Sequence, residues 1–118
     1  MIEILNSAEE NIVIIDNYVD KEILDICSKV HKKIVIITNK YSESNLKKYK
    51  CQYDNLAIYI SDEFHDRFII LDNKKLYHCG ASFKDLGKKC FAINRIEDSK
   101  ILKNLLDFIK TIKNKKLL

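Results

Sequence analysis

Apolar residues occur along the chain in short runs that match either strands or helices. Several runs are continuous and rich in β-branched residues, which is typical of strands buried on both faces of a sheet. The predicted strands are Ile12–Ile15, Lys33–Thr38, Asn55–Ile60, Phe68–Leu71, Leu76–Cys79 and Lys89–Ile96. Asp72-Asn73-Lys74 separates two of them and has the composition of a turn, so those two strands are predicted to form a hairpin.

Other apolar residues recur at the spacing of a helix face. A short helix is predicted over Met1–Glu10, and Asp20 is placed to cap a helix with an apolar face that runs to Val30. Ser42 and Ser44 lead into a more polar helix. The clearest helix follows Asp98 or Ser99, either of which is able to cap it. Its apolar stripe consists of Ile101, Leu102, Leu105, Leu106, Phe108, Ile109 and Ile112.

Helices that alternate with buried strands predict an α/β sandwich with a mixed sheet, in which the hairpin supplies the antiparallel part. In such sheets ligands bind at the carboxyl ends of the parallel strands. Asp16 and Tyr18 follow the first predicted strand, so both are candidates for contacts with a ligand.

Length and composition limit the class of protein. With 118 residues, 47% of them hydrophobic and 32% charged, the chain is expected to form one globular domain over residues 1–118. Such a composition excludes wholesale disorder. No apolar run approaches the roughly 20 residues that span a bilayer. The first ten residues are acidic where an export signal would be basic and then apolar, so the expected location is the cytoplasm, with no membrane partner.

Charge and cysteine content add two weaker indications. The net charge of +4 permits a nucleic-acid or phosphate partner without demanding one. The four cysteines contain no CxxC pair, which argues against a structural zinc site. We expect these cysteines to be reduced and mostly buried.

The candidate chemistry lies between Phe64 and Lys89. His65 and Arg67 are two residues apart, so on an extended strand they point to the same face. Ser82 and Lys84 have the same spacing and follow Gly80, one of only two glycines in the chain. An imidazole, a guanidinium, a hydroxyl and an ammonium on one face would bind a phosphate oxyanion.

These residues resemble the signature of the phospholipase D superfamily, which is HxKxxxxD, six residues, and then GSxN. His65, Arg67 and Asp72 match the spacing of the first half, with arginine in the place of lysine. The segment Gly80-Ala81-Ser82-Phe83-Lys84 resembles the second half, with lysine in the place of asparagine. The likeness extends over nearly the whole chain, to small nucleases that carry one copy of the motif.

The resemblance implies a metal-independent phosphodiesterase, most simply a nuclease, that needs no cofactor. It implies that His65 attacks the phosphorus, that Arg67 and Lys84 hold the nonbridging oxygens, that Ser82 donates a hydrogen bond, and that Asp72 orients the histidine. A second histidine protonates the leaving group in this family. Since the chain has one motif, a homodimer would have to supply that second histidine.

Two questions stay open, namely which acidic residue replaces a glutamate of the family and whether the chain is an enzyme. The family often has a glutamate after GSxN where this chain has Lys88-Lys89, and either Asp16 or Asp85 is a candidate replacement. Together with Tyr18 and Gly80 these aspartates are the expected substrate contacts. One alternative to an enzyme is a noncatalytic module that binds phosphate or nucleic acid. Another is a detached domain whose partner supplies targeting or the second motif.

Overall fold

A computed structural model of the chain describes residues 2–64, 66–79 and 93–113. The helices in these ranges are α1 (Ile2–Asn6), α2 (Lys21–Ser28), α3 (Glu43–Gln52) and α4 (Ser99–Lys113). The strands are β1 (Asn11–Ile15), β2 (Tyr18–Val19), β3 (Lys33–Thr38), β4 (Lys40–Tyr41), β5 (Leu56–Ile60), β6 (Arg67–Leu71), β7 (Lys75–Cys79) and β8 (Ile93–Ile96).

Six of these strands form one mixed sheet in the order β5-β3-β1-β6-β7-β8. Strands β1, β3 and β5 are parallel, whereas β6, β7 and β8 pair antiparallel. The hairpin between β6 and β7 turns at Asp72 and Asn73, whose φ angles are 55° and 56°. Aspartate and asparagine tolerate this left-handed conformation better than most residues. The predicted α/β class with a mixed sheet is confirmed.

Helices cover both faces of the sheet. Along β1, Ile12 and Ile14 pack in a cluster with residues of α1, α2 and α3, while Val13 and Ile15 pack in a second cluster with residues of α4. Successive side chains of a strand point to opposite faces, and with both faces covered β1 is apolar from Ile12 to Ile15. Strand β1 is therefore the buried centre of a three-layer arrangement.

The helix starts follow from their caps. The side chains of Asp20 and Ser42 accept hydrogen bonds from backbone N–H groups in the first turns of α2 and α3. Asp98 does the same for α4 through Lys100 and Ile101, so it is Asp98 that caps this helix. Each cap satisfies donors that have no partner within the helix.

Three features differ from the predicted elements. Helix α1 ends at Asn6, and the short strands β2 and β4, which form a separate parallel pair, were not predicted. In α4, Ile101 and Phe108 are 42% and 40% exposed, so only part of the apolar stripe is covered. Residues 89–92 of the last predicted strand lie outside the described residues. None of the described helices is long and apolar enough to cross a membrane.

Asp72 ties the hairpin to the start of β1. Its carboxylate accepts hydrogen bonds from the backbone N–H groups of Glu9 (2.9 Å), Glu10 (2.7 Å) and Asn11 (3.1 Å). These three donors favour the charged form and lower the pKa of Asp72 below its ordinary value of 3.8. The carboxylate therefore connects two segments that are more than sixty residues apart in sequence.

We expect Asp72→Asn to lower the thermal midpoint of unfolding, because the amide oxygen is a weaker acceptor for the three N–H groups. Asp72→Gly should lower it further, since glycine keeps the positive φ and removes every acceptor. A lowered folded pKa contributes stability above the unfolded pKa and loses it as pH falls. The difference in unfolding midpoint between wild type and Asp72→Asn should thus become smaller well below pH 3.8.

Thermal melts followed by circular dichroism at neutral and acidic pH measure this gap. Asp54→Asn, at an exposed position, is the matched control. Equal midpoints for wild type and Asp72→Gly at neutral pH would show that the three hydrogen bonds contribute nothing.

Candidate functional site

The described part of the candidate site lies where β1 ends and β6 begins. Because these strands are antiparallel and Ile15 pairs with Phe68, the residue after β1 and the first residue of β6 meet at one edge of the sheet. These residues are Asp16 and Arg67. The Oδ1 atom of Asp16 is 3.6 Å from the Nε atom of Arg67.

Asp16 is a buried charge with several contacts. Its side chain is 1% exposed, whereas that of Arg67 is 32% exposed. Its Oδ1 accepts a hydrogen bond from the backbone N–H of Tyr18 at 3.3 Å. Its own N–H donates to the carbonyl of Ile37 in β3 at 3.1 Å. A buried carboxylate requires such compensation, and Arg67 supplies the positive charge.

The β2–β4 pair continues the sheet edge beyond Asp16. Tyr18 pairs with Lys40, and the hydroxyl of the buried Thr38 donates to the carbonyl of Lys40 at 2.9 Å. Tyr18 is 45% exposed on this extension. The structure thus places the predicted ligand contacts Asp16 and Tyr18 at one edge, the first inside the protein and the second at its surface.

Cys79 is a neighbour of this pair that the sequence did not single out. It lies opposite Arg67 in the β6–β7 ladder and is buried. Burial raises the pKa of its thiol to about 11, the charge of Asp16 raises it too, and the charge of Arg67 opposes both. The thiol is accordingly neutral and serves as a small apolar wall beside the ion pair.

Asp72 does not join this group. It follows β6 at the end opposite Arg67, and at about 3.3 Å per residue the intervening strand spans about 16 Å. Its carboxylate is engaged with the backbone before β1, as described above. These contacts support a structural role for Asp72, whereas the resemblance implies that Asp72 orients His65.

The remaining predicted site residues lie outside the described residues. They are His65, Gly80, Ser82, Lys84 and Asp85. Two neighbours of His65 are described: Asp66 lies 3.8 Å from Nε2 of His78 through its Oδ1 atom, and Arg67 makes the pair with Asp16. Within ranges 2–64, 66–79 and 93–113, no group of three or more histidine, cysteine or acidic residues is arranged to hold a metal ion.

Chemically, this edge offers a positioned cation. A guanidinium that is one-third exposed and fixed from behind by a carboxylate is able to contact an anion from solvent. Phosphate and carboxylate groups match the fork of N–H donors that arginine presents.

Comparison with solved structures identifies the architecture. NucT from Helicobacter pylori superposes with a TM-score of 0.67 at 15% identity, over 96% of this chain and 84% of NucT. NucT is a phospholipase D-like nuclease. The chain has a phospholipase D-like fold. The predicted resemblance is thereby confirmed at the level of the fold.

A second solved structure is also similar. TrmBL2, an archaeal chromatin protein with a novel mode of DNA binding, superposes with a TM-score of 0.55 at 17% identity, over 97% of this chain. The chain spans 47% of the length of TrmBL2. No protein-family model matches the chain, and no curated protein matches it in sequence.

The burial of the thiols leads to a test of the site wall. Burial raises the pKa of Cys27 to about 12 and that of Cys79 to about 11, whereas Cys51 is exposed. In a Cys90→Ser background at pH 8, we expect iodoacetamide to modify one thiol rapidly, because the thiolate is the reactive form. Cys51→Ser in the same background should abolish that reaction. Rapid modification of Cys79, located by peptide mass spectrometry, would contradict the buried site wall.

Proposed function

We propose that this chain is a metal-independent phosphodiesterase, with nucleic acid as substrate, that acts through His65 as nucleophile in a homodimer. The observation that carries the proposal is the Arg67 guanidinium, held beside Asp16 at the sheet edge where the motif begins. The phospholipase D-like fold supports it, because the resemblance implies this chemistry for His65 and Arg67.

The proposed reaction has two steps. An imidazole nitrogen of His65 attacks the phosphorus, an N–P bond forms, and the P–O bond to the leaving group breaks with its electron pair going to oxygen. The His65 of the second copy donates a proton to that oxygen. Water then attacks the phosphorus of the phosphohistidine, an O–P bond forms, and the N–P bond breaks with its electron pair returning to the nitrogen of His65. The proton of that water passes to the same second histidine. Arg67, Ser82 and Lys84 stabilise the charge on the nonbridging oxygens.

The decisive experiment is a cleavage assay in excess EDTA. We expect wild type to cleave at least one of single-stranded DNA, duplex DNA, RNA or bis(p-nitrophenyl) phosphate, and His65→Ala to lose that activity. His31→Ala is the matched control, since His31 is exposed in the segment between α2 and β3. Activity that disappears in EDTA, or that survives in His65→Ala, would contradict the proposed mechanism.

A noncatalytic nucleic-acid module is the second candidate. The similarity to TrmBL2, a chromatin protein that binds DNA, favours it. Its expected signature is DNA binding without turnover, weakened by Arg67→Ala and by rising salt, because phosphate contacts release counterions. Binding of this kind by a folded protein that cleaves none of the four substrates would select the module over the enzyme.

The homodimer makes a separate prediction. If two copies of His65 share one reaction, the specific activity should fall as the protein is diluted through its dimer dissociation constant. Sedimentation velocity at the same concentrations measures the dimer fraction, which should follow the activity. A constant specific activity in samples that sediment as monomers would contradict the shared site.

A further inference from the structure

Arg67 and Asp16 meet through an unusual pair of atoms. The Nε atom of Arg67 is inaccessible to solvent and has no hydrogen-bond partner, yet it lies 3.6 Å from the Oδ1 atom of Asp16. This separation is too long for a hydrogen bond and short enough for a strong charge interaction. The carboxylate of Asp16 therefore places a negative charge beside the Nε edge of the guanidinium without a hydrogen bond from Nε.

The two partners differ in freedom. Asp16 is buried and its backbone is part of the sheet edge, through the hydrogen bond from its N–H to Ile37 and the one that its Oδ1 accepts from Tyr18. Arg67 has a flexible side chain that is 32% exposed. Since Nε is inaccessible, the exposed surface of this side chain belongs to its other atoms. A ligand from solvent reaches the guanidinium only through its terminal amino groups.

We infer that Asp16 is a positioning residue, which holds the Nε edge of Arg67 toward the protein and leaves the terminal N–H groups for a phosphate oxygen. The inference rests on the proposed function for the identity of the ligand as a phosphodiester. Asp16 is one of the two acidic positions that the sequence left open as a replacement for the missing glutamate. The inference gives Asp16 the role of positioning Arg67.

The charge of Asp16 opposes the binding of an anion. A carboxylate this close to Arg67 reduces the positive potential that a phosphate experiences. A residue that served only to bind substrate would not be expected there. By contrast, the fixed charge of Asp16 helps to orient Arg67, because the charge limits the rotamers of that long side chain. The two effects predict that loss of the Asp16 charge changes binding and turnover in opposite directions.

Arginine Nε–Hε resonances test the geometry directly. Arg67 and Arg95 are the two arginines of the chain, so Arg95→Lys assigns both signals, and Arg95 is exposed. We expect the Hε proton of Arg67 to exchange with solvent at least about tenfold more slowly than that of Arg95. Asp16→Asn should remove this protection. Equal exchange of the two Hε protons in wild type would overturn the inference.

Titration with inorganic phosphate extends this test to the ligand without any variant of Asp16. The terminal N–H signals of Arg67 should shift with phosphate while its Hε stays protected. Exposure of the Hε on phosphate binding would overturn the inference, because the arginine would then have left Asp16. These measurements need no turnover, so they decide the positioning role even if the protein cleaves nothing.

Kinetics supply the functional arm. We expect Asp16→Asn to lower kcat by about 100-fold, as misplacement of a catalytic group by about 1 Å can, while KM falls. Asp54→Asn is the control at an exposed position. In the Arg67→Ala background, Asp16→Asn should have no further effect on kcat. Additive losses in the double variant, or an unchanged kcat in folded Asp16→Asn, would overturn the positioning role.

Discussion

Strand β1 is covered on both faces, and backbone N–H groups and charges at the ends of such a strand are costly to bury without a partner. At its start, the backbone N–H groups of Glu9, Glu10 and Asn11 point to the carboxylate of Asp72. After its last residue, the buried carboxylate of Asp16 faces Arg67. Arg67 is the first residue of β6, the antiparallel neighbour of β1, and Asp72 follows its last residue. Arg67 and Asp72 of the HxR…D motif thus lie at opposite ends of β6, and each contacts a group at one end of β1.

This arrangement gives different tasks to residues that are adjacent in the motif. Arg67 begins β6 and remains one-third exposed, so it keeps donors for a ligand. Asp72 follows the last residue of the strand, and its carboxylate accepts hydrogen bonds from the backbone before and at the start of β1, which stabilises the hairpin and the start of β1. The apolar residues between them form the core on both faces of the sheet. Asp72 is the last residue of a spacing that resembles a catalytic signature, and its observed contacts anchor the strand.

Much of the fold was predictable because its signals are local. Ile12–Ile15 and Lys33–Thr38 are too apolar for a half-exposed strand, and Asp20 is followed by a helical face, so strand, cap and helix all follow from neighbouring residues. The ion pair was not predictable, since it requires knowing that β1 pairs with β6 antiparallel and in which register. Strands β2 and β4 have two residues each, which is too short for a periodic pattern. The exposure of Phe108 likewise depends on how α4 lies on the sheet, which no stripe of residues specifies.

The two contacts that join the ends of β1 and β6 together also limit the length of β6. One contact lies at the first residue of β1 and the other just after its last residue. In β6 the same two contacts lie just after the last residue and at the first. A slip of one strand along the other would separate both pairs. A residue inserted within Phe68–Leu71 would allow one end to remain closed and force the other open. The number of residues between the arginine and the aspartate is therefore set by the sheet itself, whatever chemistry occurs at its edge.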